Sequence, residues 1–159
     1  MSKTGDIFEN PVTGEHGYIR IGTDETNGDY MVADLRVRPG GAVMGEHIHE
    51  NMDEKFTVLS GSIGYKLGDT EGVANAGDSF FVPKNKFHDW WNAGYDEAHV
   101  IVEFKPARRF EQMITTFFGL AVEGKTNEAG LPNLLQLAVI SDEFGDVLRL
   151  KNPPVWIQN

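Results

Sequence analysis

The stretch from Gly41 to Gly61, GAVMGEHIHENMDEKFTVLSG, brings together three side chains that bind metal ions: His47, His49 and Glu54. His47 and His49 are two positions apart, so on a β-strand both imidazoles leave the same face. Glu54 comes five positions after His49, which is the wrong parity for one continuous strand. The polar run Glu50, Asn51, Met52, Asp53 can supply a turn or bulge that resets the facing. Lys55 to Leu59 is then a fresh strand with Glu54 at its root. Two imidazoles and a carboxylate meeting at one point form a ligand set for a divalent transition metal. The bland alternative is a pair of surface histidines in a polar loop. It would account for an isolated H-x-H, but it does not account for the added glutamate or the glycines that close both ends.

A second stretch, GDSFFVPKNKFHDWWN from Gly77 to Asn92, completes the set. It reads as a Gly-Asp turn, an apolar strand, a proline stop, and then His88 opening another aromatic strand. His88 is the candidate fourth ligand. The spacing Gly41-x5-His47-x-His49-x4-Glu54-x6-Gly61 resembles the first motif of the cupin superfamily position for position. Gly77-x5-Pro83-x-Asn85-x2-His88-x3-Asn92 resembles the second, with Asn85 where the family usually has glycine. Glycine at that point implies a positive φ, and asparagine tolerates that region better than most residues. The resemblance covers roughly a third of the chain. It implies a small single-domain cupin jelly-roll β-barrel, or double-stranded β-helix, built from two Greek-key motifs with the metal inside.

The elements that must position these ligands are short. Tyr18–Ile21, Asp29–Val37, Val43–His49, Lys55–Leu59, Ser62–Leu67, Gly72–Ala74, Ser79–Val82, His88–Asn92 and Ala98–Phe104 read as strands. Asp24–Gly28 reads as a turn, and Pro39-Gly40-Gly41 ends a strand. Short strands punctuated by Gly, Pro, Asn and Asp indicate an antiparallel sandwich or barrel, and 18 glycines fit one with many tight turns. The period changes after Pro106. Phe110, Met113, Ile114, Phe117 and Phe118 recur at helical spacing, so Ala107–Leu120 reads as an amphipathic helix. Asn133–Phe144 reads as a second helix, and Pro153-Pro154 cannot continue one. The expected class is therefore all-β with C-terminal helices. Residues 1–17 form an arm or added edge strand, 18–106 the barrel, and 107–159 a helical extension packed on the barrel or on a dimer partner. Trp91 and Phe81 have the outward parity, so the first helix is expected on the outer sheet face and away from the metal.

The chain has 159 residues and no cysteine, which excludes disulfides and thiolate metal sites. A net charge of −10 argues against nucleic acid and against anionic membrane surfaces. The polar start MSKTGDIFENP lacks the pattern of a signal peptide, so a cytoplasmic location is expected. Sheet edges that need covering, together with the residues 1–17 as a strand to exchange, suggest a homodimer.

Phe56 and Trp90 share parity with Glu54 and His88, so each is a candidate pocket residue or an ordinary core aromatic. Tyr65 is a candidate proton donor inside the barrel or a packed tyrosine. His16 and His99 read as surface or structural residues, and Arg36 and Arg38 as a solvated strand face. The donor set suits one divalent transition metal per subunit, whether Fe, Mn, Ni, Co, Cu or Zn. Four protein ligands on an octahedral ion leave room for water, dioxygen or a small bidentate molecule. Two classes of function follow. By resemblance, one is a metal-dependent enzyme acting on a small organic acid, of oxygenase, decarboxylase or isomerase type. The other is a non-catalytic cupin that binds or senses a small ligand.

Overall fold

The computed structural model describes residues 1–152. The expected extension to residue 159, with Pro153 and Pro154, runs past the described residues. In chain order the elements are β1 (Ile7–Asn10), β2 (Glu15–Ile21), the short helix α1 (Thr23–Thr26), β3 (Met31–Val37), β4 (His47–Ile48), β5 (Asp53–Ser60) and β6 (Ser62–Leu67). Then come β7 (Thr70–Asn75), β8 (Ser79–Val82), β9 (His88–Asn92), β10 (Ala98–Lys105), α2 (Phe110–Val122), α3 (Leu134–Phe144) and β11 (Arg149–Leu150). The strands form two antiparallel sheets, one in the order β1-β2-β3-β10-β5-β8 and the other β11-β4-β9-β6-β7. The class is all-β with C-terminal helices, as the strand pattern indicates. Among the described residues no helix is long and apolar enough to cross a membrane.

Alternation explains the core. Glu54, Phe56 and Val58 of β5 are buried, as are His88, Trp90 and Asn92 of β9 and Ala98, Val100, Val102 and Phe104 of β10. These are the inward faces of half-buried strands with period two. The ligand residues therefore occupy positions of a strand pattern that also builds the core.

Several local expectations shift. Asp24–Thr26 of the expected turn are wound into α1, closed by Asn27 at φ 54°. The expected strand from Val43 contracts to His47–Ile48, because Gly45 at φ 121° interrupts it. Ile7–Asn10 pairs with β2 in register Ile7↔Tyr18 to Asn10↔Glu15, so this part of the N-terminal segment is an edge strand of the same chain. Strand β2 already begins at Glu15, ahead of the boundary drawn after Gly17.

The largest shift concerns α2. Its buried stripe is Phe110, Met113, Phe117 and Phe118, as the spacing indicates, but the partner differs. Phe118 meets Phe8 of β1 with ring centroids 5.5 Å apart, and Phe110 meets Phe104 of β10 at 4.2 Å. Phe110 also stands edge-on to His49 at 5.8 Å. The helix therefore closes the inner end of the sandwich beside the ligands rather than covering an outer sheet face. Phe81 is left 53% exposed, and Trp91 lies across Gly64, where a Cβ would come within 2.3 Å of its indole nitrogen. There the stripe meets Phe8, Phe104 and the apolar cavity lining, which bury it.

Candidate metal centre

Each ligand is placed by a different device. Glu54 opens the inward face of β5. His88 opens β9 and pairs with His47 of β4 across the sheet. His49 stands just past β4 in the loop that resets the facing. A turn from the second motif holds that loop: Asn85 N donates to His49 O at 2.8 Å, and Lys84 N to Asp53 Oδ1 at 2.7 Å. Asn85 adopts φ 62°, the left-handed region that the glycine of the family motif implies and that asparagine accepts. The turn that presents His88 thus also pins the loop that presents His49.

One ligand atom from each of His47, His49, Glu54 and His88 lies within 4.8 Å of the others, and all four side chains are buried. Every imidazole has its Nδ1 on a backbone carbonyl: His47 on Gly45 O at 2.8 Å, His49 on Val147 O at 2.7 Å and His88 on Lys86 O at 2.9 Å. A carbonyl only accepts, so each Nδ1 carries the proton and each Nε2 is left with a lone pair directed inward. Such backbone partners fix tautomer and ring orientation at metal sites.

The inward atoms show what they lack. His49 Nε2, His88 Nε2 and Glu54 Oε2 are buried without a hydrogen-bond partner, although His88 Nε2 and Glu54 Oε2 are only 2.8 Å apart. A neutral imidazole lone pair facing a carboxylate oxygen at that distance is repulsive unless a positive centre sits between them. A proton or a metal ion would serve, and the 3.6 Å from His49 Nε2 to Glu54 Oε1 gives the same centre a third contact. Electrostatics agree. Burial drives His47 well below its ordinary pKa, and His88 and His49 push it further down. Burial alone would raise the Glu54 carboxyl, but His49 and His88 together hold it well below the carboxylate range. His88 is raised: burial lowers it, but the bond to Glu54 and its charge outweigh that. Three imidazoles and an ionised carboxylate, with inward atoms of His49, His88 and Glu54 unsatisfied, are a fit for a divalent cation.

The quartet opens on a small cavity of about 50 Å³. His47, His49 and Glu54 meet it, and so do Phe56 and Trp90. Phe110, Ile114 and Phe118 of α2 and Leu148 from the approach to β11 complete one wall. Tyr65 is elsewhere: it stacks on Phe80 at 4.2 Å, and Phe80 stacks in turn on Phe56 at 4.6 Å. His99 bonds Asp34 at 2.6 Å on the outer face of the first sheet, and His16 pairs with Glu9 at 2.8 Å. Arg36 pairs with Glu97, and Arg38 with the Val12 carbonyl.

Sequence reasoning missed two contributors. The C-terminal segment supplies the Val147 carbonyl to His49 and pairs β11 with β4, Leu150 opposite His47. No side-chain spacing encodes a backbone carbonyl 98 positions away. The other is Glu15, which also lines the cavity. Its parity with Ile19 on β2 was the available signal.

Comparison with known proteins agrees with this geometry. The Cupin domain family model matches residues 33–104. No curated protein matches the chain. Among solved structures, KdgF from Halomonas sp. is 24% identical with a TM-score of 0.57, over 67% of this chain and 92% of that one. An RmlC-like cupin from Shewanella frigidimarina NCIMB 400 is 22% identical with a TM-score of 0.57, over 67% and 88%. An oxalate oxidase is 22% identical with a TM-score of 0.53, over 68% of this chain but only 60% of its own. At these identities the likeness is one of fold. The matched residues 33–104 carry all four ligands, and with the two-sheet architecture they give this part of the chain the cupin fold.

Proposed function

We propose that His47, His49, Glu54 and His88 hold one divalent transition metal and that the protein is a metal-dependent enzyme acting on a small organic acid. One observation carries this reading: His49 and Glu54, each with a buried inward atom lacking a hydrogen-bond partner, line with His47 a cavity whose wall is otherwise almost wholly apolar. A bound metal of this kind supplies Lewis acidity, open coordination positions and, for Fe, Mn or Cu, redox capacity. The chain's own residues do the rest. The Gly45, Val147 and Lys86 carbonyls hold the imidazoles in one tautomer. Glu54 brings one negative charge, which favours a divalent over a monovalent guest. Phe110, Ile114, Phe118 and Leu148 exclude water, which strengthens every electrostatic contact inside. A cavity of about 50 Å³ admits only a ligand of a few heavy atoms. A small carboxylic acid has that size and carries the oxygen donors a metal centre takes up. The fold shared with an oxalate oxidase supports the same substrate class.

The protein loaded in turn with Mn(II), Fe(II), Co(II), Ni(II), Cu(II) or Zn(II) tests this. Small mono- and dicarboxylic acids, oxalate and glycolate among them, are followed by NMR with dioxygen uptake recorded alongside. The reading requires that at least one metal form consume an acid and that Glu54→Gln abolish the turnover. Acids that bind and are never consumed would instead establish the non-catalytic binding role. Assembly as a homodimer belongs to the same proposal. Its support is the exposed apolar trio Leu134, Leu135 and Val139 on α3, a kind of surface that drives association.

A further inference from the structure

The cavity wall contains one acidic group that the metal quartet does not use. Glu15 stands at the first position of β2, paired with Asn10 of β1 and Val37 of β3. Its side chain is buried because Glu15, Gly17 and Ile19 share the inward parity of that strand. Apart from Glu15, His47, His49 and Glu54, the residues lining the cavity are apolar.

The local structure holds this carboxyl in place. Thr13 Oγ1 donates to Glu15 Oε2 at 2.6 Å. Thr13 and Val12 are themselves fixed, since both backbone amides donate to Asn10 Oδ1, at 3.1 and 3.0 Å. An oxygen that accepts from Thr13 acts as the carbonyl of the carboxyl group, so the acid proton belongs on Oε1. Glu15 also borders a surface groove with Glu9, His16, Arg36, Arg38 and Glu97, whose charges are engaged by other partners, Arg36 by Glu97. Asn10, Thr13 and Val37 are uncharged, and α2 reaches the cavity with Phe110, Ile114 and Phe118. The Arg38 guanidinium is engaged by the Val12 carbonyl on the exposed side, while His16 and Glu9 pair with each other outside. The titratable groups that share its wall are His47, His49 and Glu54.

We propose that Glu15 is a substrate-contacting residue of the metal cavity, donating its carboxyl hydrogen bond to an oxygen of the small acid held at the centre. The inference rests on the metal-dependent reading above and adds a second point of recognition to it. Burial pushes the Glu15 carboxyl up to about 7, against a smaller opposing effect from Thr13. It is therefore largely protonated in mildly acidic solution and about half so at neutrality. A protonated carboxyl facing a carboxylate forms a short charge-assisted bond. The ionised form would lose the donor and set a second negative charge against the ligand.

The test uses the Co(II)-loaded full chain, whose visible spectrum reports ligands entering the metal sphere. Wild type, Glu15→Gln and Glu15→Leu are titrated with azide, oxalate and glycolate from pH 5.5 to 8.5, with cobalt content measured for each. The proposal expects equal cobalt content in all three and acid binding about tenfold weaker in Glu15→Leu at pH 6. It also expects wild-type affinity to fall as pH rises through about 7, and that inflection to vanish in Glu15→Gln. Glu15→Gln keeps size and a donor, so it remains informative if Glu15→Leu misfolds. Acid affinities and pH profiles that match across the variants overturn the proposal and leave the metal reading standing. An azide response without any acid response also overturns it, with the open centre intact. No azide response in the wild type removes the open centre and this proposal together.

Discussion

Glu15 also gives the sharpest thermodynamic prediction. A carboxyl that titrates at its ordinary 4.5 in the unfolded chain and at about 7 in the folded one binds more protons when folded throughout that interval. Stability must then fall as pH rises through it, since the slope follows the protons bound by the unfolded state minus those bound by the native state. At 1.36 kcal/mol per pH unit of difference, the full loss is about 3 kcal/mol, complete above pH ~7.5 and absent below pH ~4. Glu15 is 6% exposed, so solvent screening takes little from this figure. Glutamine at the same position keeps the volume and cannot ionise. The assay is urea unfolding of wild type and Glu15→Gln from pH 4.5 to 8.5, in protein stripped of metal so that no cation acts on the carboxyl. The variant should gain on the wild type by about 3 kcal/mol between the ends of that range. All other titrating groups, the metal ligands included, cancel in the difference. A difference that stays within ~0.5 kcal/mol across the range would show that Glu15 ionises freely in the fold, and the reasoning from burial would be refuted.

Three further outcomes follow from the packing. Phe110→Ala removes a 5%-exposed ring from between Phe104 and His49. It should cost about 3–5 kcal/mol, or roughly 10 °C in Tm by calorimetry, and should quicken metal loss to a chelator; a Tm within 2 °C of wild type, on that same scale, would contradict the placement of α2. Asn85→Gly should leave Tm nearly unchanged while Asn85→Val should lower stability by ~1–2 kcal/mol, because φ 62° penalises a β-branched side chain; equal stability would mean the turn relaxes freely. Sedimentation at micromolar concentration should show a dimer that Leu135→Glu with Val139→Glu converts to monomer, whereas a wild-type monomer of 17.7 kDa would remove the proposed assembly.

Much of the centre was legible because strand parity is a strict code. His47, Glu54 and His88 lie on inward strand positions, and the polar run Glu50–Asp53 signalled the loop that resets the facing between His49 and Glu54. The positive φ at Asn85 followed from the resemblance, whose second motif usually has glycine at that position. What spacing cannot express is which surface an amphipathic helix chooses. The stripe on α2 was plain, but its destination depended on the open mouth between the sheets, a property of the assembled strands. The Val147 carbonyl was beyond reach because every residue has a carbonyl. Glu15 was hidden differently: with the arm drawn to end at Gly17, it was severed from Ile19, whose inward parity it shares.

Everything proposed for the cavity depends on the quartet binding one divalent metal. The most direct measurement of that binding is metal content per subunit by mass spectrometry, for wild type and for the double variant His49→Ala with Glu54→Ala, after growth with mixed transition metals and extensive dialysis. Close to one equivalent is expected in wild type and almost none in the folded double variant. A double variant that keeps the full equivalent, or a wild type that takes up none from any metal offered, would contradict metal binding by the quartet.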